Sequence, residues 1–142
     1  MVALVVLSVG MIGIAALFAQ GLGAGRTAQY RTQAVNLIAD MADRIRANRP
    51  GQAAYAAGTG DNNCAPAEGT VGATAVDCPP ALMAAHDLYI WEQLVEETLP
   101  DGEIEIQFDA TTLPPTFTID VGWVEVGIGT IHHRTDIRVP PI

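Results

Sequence analysis

The sequence predicts an α+β fold, in which a long N-terminal helix packs on a small antiparallel sheet together with a second helix. Two observations predict it. Through residues 1–48, the apolar residues first run unbroken and then recur at three- and four-residue steps, as in helices. From residue 103 onward, apolar and polar residues alternate, as in strands with one buried face. With 142 residues, the chain suits one domain and hardly allows two.

Charge divides the chain into three segments. Residues 1–25 carry no charge, residues 26–58 carry five Arg and two Asp, and residues 59–142 carry fourteen acidic residues and two Arg. The net charge is -9, and there is no Lys. An acidic chain is a poor candidate for binding phosphates, so we expect no nucleic-acid partner.

The first segment predicts a membrane-spanning helix. About 20 apolar residues span the hydrocarbon core of a bilayer, and the first charged residue of this chain is Arg26. The alternative is a cleaved signal peptide, which requires a basic start and a small-x-small cleavage site. No Lys or Arg precedes the apolar run, and residues 17–19 and 22–24 each place Leu where a small residue is required. The sequence therefore favours residues 1–25 as a retained transmembrane segment.

The second segment predicts the amphipathic half of the same helix, residues 26–50. Its apolar residues fall on one stripe, which consists of Tyr30, Ala34, Leu37, Ile38, Met41 and Ile45. Pro50 and Gly51 end the helix. We expect residues 51–142 to form a separate globular head.

Residues 51–80 are rich in small and polar residues and predict a loop. Cys64 and Cys78 are the only cysteines, with thirteen residues between them. A lone Cys pair without nearby His is inadequate for a metal site. A disulfide is therefore favoured over a metal pair or two buried thiols, and it would stabilise the head by roughly 3 kcal/mol.

Pro79 and Pro80 open a second helix, predicted over residues 80–98. We expect its buried stripe to consist of Leu82, His86, Tyr89, Ile90, Leu94 and Leu99, with Trp91 beside them. Residues 100–102 then form a turn.

Three strands follow. Their predicted buried faces consist of Ile104, Ile106 and Phe108, then Phe117, Ile119, Val121 and Trp123, then Ile131, His133, Thr135, Ile137 and Val139. The alternation slips near Gly122, which predicts a bulge there. Three strands with one apolar face need a cover. We expect Ile38, Met41 and Ile45 to pack on that face.

No motif in the chain predicts catalysis, a metal site or a cofactor. His132 and His133 are adjacent on a strand and point to opposite faces, so they cannot chelate one ion together. His86 is expected to be packed rather than catalytic. Residues 61–63 lack the spacing of a calcium loop, and the acidic residues from Glu92 to Glu105 are best explained as a solvated face. We expect no enzymatic activity.

The overall plan resembles that of the type IV pilins, whose helix is membrane-embedded first and amphipathic later. The pilin helix just beyond the prepilin signature G-F-T-L-I-E is similar to residues 2–17, VALVVLSVGMIGIAAL. The corresponding helix of the PilV family of minor pilins is similar to residues 31–51, RTQAVNLIADMADRIRANRPG. Later PilV motifs resemble Asp77-Cys78, Trp91 with Leu99-Pro100-Asp101-Gly102, and Val121-Gly122-Trp123. The likeness covers most of the chain, and residues 31–51 are its most specific part.

The prepilin signature and its basic leader do not precede residues 2–17 in the sequence as written. In the family, the Glu of that signature neutralises the N-terminus of a neighbouring subunit, and no residue here is assigned that role. Two interpretations remain, a reading frame that starts upstream of Met1 or a lost segment. An in-frame G-F-T-L-I-E with a basic leader in the DNA immediately upstream of Met1 would settle the family.

The resemblance implies a minor pilin that takes part in pilus assembly and initiation. It would join the pilus through a helix face formed by Gly10, Gly13, Ile14 and Leu17. Its implied partners are the other minor pilins, the major pilin and a tip adhesin. Its implied location is the inner membrane with a periplasmic head, and then the pilus on the cell surface.

Two other functions remain open. The first is a minor pseudopilin of type II secretion, which genes for secretion beside this one would favour. The second is a membrane-anchored extracytoplasmic module that binds a ligand through its acidic face. Stabilisation of the isolated head by calcium would favour that module.

Overall fold

The computed structural model describes residues 2–64 and 77–140. The chain divides into two compact units, Met1–Thr32 and Gln33–Ile142. The elements are helix α1 (Val2–Ala47), a 3₁₀ helix (Arg49–Ala56), helix α2 (Pro80–Thr98) and strands β1 (Glu103–Asp109), β2 (Thr116–Glu125) and β3 (Gly129–Arg138). A long apolar helix, a second helix and a three-stranded antiparallel sheet confirm the predicted fold class.

Helix α1 ends where its sequence stops favouring helix. Arg44 and Arg46 lie in the last turn, where positive charge interacts favourably with the helix dipole. Pro50 cannot continue the α-helical hydrogen bonding. The loop predicted from residue 51 is partly wrong, because the 3₁₀ helix extends to Ala56. That short helix packs tightly, since a Cβ at Gly51 would lie 2.6 Å from the carbonyl oxygen of Pro80.

The second half of α1 buries one stripe of its surface. The buried residues on it are Ala34, Leu37, Ile38, Met41, Ala42 and Ile45. Ile38 and Ala42 line one groove together with Ile137 of β3, which places this part of α1 beside the sheet. Asn36, on another face, is exposed.

Helix α2 is rotated relative to the prediction. Of the predicted stripe, Leu82, Ile90 and Leu94 are exposed. His86, Leu99 and Trp91 are buried as predicted, and the buried face also includes three residues that the prediction did not name, which are Ala84, Leu88 and Val95. The indole of Trp91 donates a hydrogen bond to the carbonyl oxygen of Leu37 at 2.9 Å. The prediction was wrong because large side chains were weighted over Ala84, whose small size permits close packing.

The sheet is a meander in the order β1-β2-β3, and both pairs are antiparallel. The core residues of β2 are Phe117, Ile119, Val121 and Trp123. The predicted bulge at Gly122 is wrong, because Gly122 pairs in unbroken register with Glu103 and His132. Glycine at this position leaves room for two neighbouring side chains, which a larger residue would displace. A Cβ would lie 2.7 Å from the Glu103 Cγ and 3.0 Å from the His132 Cε1.

The second unit, Gln33–Ile142, contains the end of α1 together with the predicted head of residues 51–142, and it is called the head from here on. Its two helices run antiparallel. Asn48, near the end of α1, donates a hydrogen bond from Nδ2 to the carbonyl oxygen of Pro80 at the start of α2, whereas Trp91 bonds Leu37, eleven residues earlier in α1. The C-terminal end of α2 therefore lies toward Gln33, where the chain enters the head. The amide of Val124 donates to the carbonyl oxygen of Pro100 at 2.9 Å. The β2–β3 hairpin consequently lies at that same end.

Candidate functional site

The largest exposed apolar surface in the described residues lies on the first half of α1. Every residue from Val2 to Arg26 whose side chain the structure describes is exposed. Four of them form the predicted assembly face. Ile14 is 57% exposed and Leu17 is 69% exposed, and the Cα atoms of Gly10 and Gly13 face open space. By length and composition, α1 is the one described helix that could cross a membrane.

Glycines give this helix a stepped surface. Gly21 leaves a notch that is lined by Ile14, Leu17, Phe18 and Leu22. Small residues of this kind let a neighbouring helix approach closely. The chemistry available to this surface is apolar association, because Arg26 and Arg31 are the only charged side chains before Gln33.

A polar junction joins the second half of α1 to the rest of the head. The Arg44 guanidinium lies 2.9 Å from Asp40 and 3.1 Å from Asp87 of α2. The Tyr55 hydroxyl donates to the other oxygen of Asp87 at 2.7 Å. The carboxylate of Asp87 thus connects α1, the 3₁₀ helix and α2. Asp40 and Arg44 are four residues apart on α1, whereas Asp87 and Tyr55 are distant in sequence and could not be identified from local spacing.

Two pKa values at the junction are perturbed. Burial, followed by the hydrogen bond to Asp87, raises the pKa of Tyr55. Burial by itself would lower the pKa of Arg44, but its bonds to Asp40 and Asp87 outweigh that effect and raise it. Tyr55 is therefore neutral and Arg44 charged at physiological pH.

Cys64 and Cys78 form a disulfide. Cys64 is buried, and the preceding segment is held to α2, since the side chain of Asn62 donates to the carbonyl oxygen of Leu82 at 3.1 Å. The buried His86 lies 3.4 Å from Asp61 in the same segment. His86 is therefore packed beside residues 61–64.

The outward face of the sheet carries a second polar cluster, around the buried carboxylate of Asp120. Arg134 contacts Asp120 Oδ2 through Nη2 at 2.7 Å, and His132 Nδ1 lies 3.1 Å from Oδ1. The other ring nitrogen of His132 lies 3.6 Å from Glu103. Residues from all three strands take part in these contacts. The cluster therefore connects the strands on the outward face of the sheet.

A comparison with known protein families gives one match. The profile of the Tt1218-like family, described as type IV pilin Tt1218, matches residues 16–89, just over half of the chain. The chain belongs to this type IV pilin family. No curated protein and no solved structure matches the chain significantly.

The matched part of this type IV pilin begins inside the exposed apolar stretch and ends within α2. It includes the whole amphipathic half of α1, the polar junction and Cys64 and Cys78. The sheet lies outside it. Pilins are structural proteins, and the family supports a role in pilus-related function for this chain.

Proposed function

We propose that this pilin is a minor pilin of the PilV kind, which takes part in assembly and initiation of a type IV pilus. The exposed apolar half of α1 carries the proposal. A surface of this size needs lipid or other helices to cover it. In the pilus, sibling helices would pack on the face of Gly10, Gly13, Ile14 and Leu17, where the glycines permit close approach.

The exposed apolar half of α1 also supports a location for the protein in the cell envelope. Residues 1–25 would anchor the subunit in the inner membrane, residues 26–50 would continue the helix, and residues 51–142 would form the periplasmic head. The disulfide fits this location, because the periplasm is oxidising. After assembly the subunit would lie in the pilus at the cell surface. Its partners would be the other minor pilins, the major pilin and a tip adhesin.

Incorporation into pili tests the proposal directly. Ile14→Arg should remove the subunit from sheared pili, because a charge among packed apolar helices is costly. The melting of the head, followed through Trp91 and Trp123, should stay unchanged. Gly10→Arg should behave in the same way.

Leu113→Arg is the matched control, because it adds the same charge at a head residue that is 91% exposed. This variant should enter pili at the normal level. Normal incorporation of Ile14→Arg would contradict the proposal, since α1 would then be only a tether. Deletion of the gene should reduce the number of pili. Normal pili with defective protein secretion would indicate a pseudopilin instead.

A further inference from the structure

The loop of the β2–β3 hairpin exposes two aliphatic side chains. Val126 is fully exposed and Ile128 is 66% exposed. We call residues 126–128 the tip loop. Gly127 within it and Gly129 after it both have positive φ, +83° and +99°. The glycines thus form the turn, and no polar or charged side chain occupies the tip.

The position of the tip loop in the head is fixed by the antiparallel helices. The loop lies at the end where the chain enters the head at Gln33, because Val124 bonds Pro100 after the end of α2. The β1–β2 connection, with Leu113, lies at the opposite end. Strand β2 has ten residues, so the two loops are about 30 Å apart at roughly 3.3 Å per residue.

The bilayer is within reach of the tip loop only if residues 1–25 anchor the chain, so this inference rests on the proposed function. Seven residues, 26–32, separate the proposed anchor from Gln33. They span about 10 Å as helix and at most about 25 Å when fully extended. Gln33, at the end of the head that carries the tip loop, therefore stays within about 25 Å of the proposed anchor.

We propose that the tip loop contacts the membrane, with Val126 and Ile128 inserted at the boundary between headgroups and acyl chains. Aliphatic side chains on an exposed loop gain by leaving water there. Insertion must be shallow, because Asp101 and Glu103 lie at the same end of the head and favour water. The contact would hold the head against the bilayer before the subunit joins a pilus.

Fluorescence in vesicles tests this contact. The full chain with Val126→Trp would be reconstituted into phosphatidylcholine vesicles, with and without bromine on the acyl chains. Bromine quenches a tryptophan that touches it. The emission of the added tryptophan should be blue-shifted and lost in the brominated vesicles. Trp91 and Trp123 are buried in the head, so they give the same background in every variant.

Leu113→Trp is the matched control, because Leu113 is also an exposed apolar loop residue but lies at the far end of the sheet. Its emission should keep the wavelength of an exposed tryptophan and resist quenching. Equal quenching at both positions would overturn the proposal, as would a blue shift of Val126→Trp that occurs only in assembled pili, which would indicate a protein surface.

Flotation of the vesicles separates the two proposals. A chain that floats with vesicles but shows no quenching at Val126→Trp would overturn the tip contact and leave the anchor standing. A chain that does not float would overturn both. Val126→Ser together with Ile128→Ser should still float and melt normally, while hydrogen exchange of the hairpin amides in vesicles becomes several-fold faster.

Discussion

The two halves of helix α1 both carry aliphatic side chains, but these side chains lie in opposite environments. Between Val2 and Leu22 the described aliphatic side chains are exposed, whereas from Ala34 to Ile45 one stripe of them is buried. An isoleucine in the first half therefore adds nothing to the stability of the head and is available for association. An isoleucine in the second half does the reverse. Apolar residues in one helix serve two functions, which are set by what covers them.

One substitution made in both halves gives the largest expected difference. Ile45 is 0% exposed and Ile14 is 57% exposed. Ile45→Ala should lower the free energy of unfolding of the head by about 2–5 kcal/mol, the usual result of truncating a buried isoleucine. Ile14→Ala should leave it unchanged. Urea unfolding of the full chain in detergent, followed through Trp91 and Trp123, measures both.

Ile38→Ala should resemble Ile45→Ala, and Asn36→Ala should resemble the wild type, because Asn36 is exposed on another face. The test is whether Ile38→Ala loses more stability than Asn36→Ala. If Asn36→Ala were the more damaging variant, α1 would be rotated against the head.

The difference between the halves could be predicted from the sequence, because it depends on local patterns. The charge-free run to Gly25 and the stripe from Ala34 to Ile45 are each visible within one segment. The alternation of apolar and polar residues predicted β1 and the core residues of β2, because it too is visible within one segment. These features can be predicted without knowing which distant residues pack against each segment.

The errors arose where a residue's role depends on distant partners. A bulge was predicted at Gly122 because the alternation slips there, whereas the pairing of Gly122 with Glu103 and His132 of the neighbouring strands is unbroken. The stripe of α2 was partly misplaced because Ala84, Leu88 and Val95 are buried while Leu82, Ile90 and Leu94 are exposed, and which face is covered depends on distant parts of the chain. Asp87 of the polar junction was missed because its partners, Arg44 and Tyr55, lie 43 and 32 residues away.

Two ion pairs made by arginines of α1 should contribute to stability by amounts smaller than the buried isoleucines do. Asp87 is mostly buried and bonded by Arg44 and Tyr55, whereas Asp43 is exposed and bonded only by Arg46 among the described contacts. Asp87→Asn should lower the stability of the head by about 1.5–3 kcal/mol, the range for hydrogen bonds to charged groups. Asp43→Asn should change it by less than about 0.5 kcal/mol, as for other exposed pairs. Urea unfolding at neutral pH measures both, and equal effects would mean that the junction is open to water.

Tyr55 provides the smallest expected effect, which depends on pH. Burial and the bond to Asp87 raise its pKa in the folded head, whereas in the unfolded chain it titrates near the ordinary value of about 10. The stabilisation is complete below that value. As the pH rises further, the unfolded chain loses the proton first, so stability falls by at most about 1.4 kcal/mol per pH unit. Tyr55→Phe should therefore flatten the decline in urea-unfolding free energy between pH 9 and 11. A decline as steep as that of the wild type would show that Tyr55 ionises freely in the folded head, and that the junction is less dry than its bonds to Asp87 indicate.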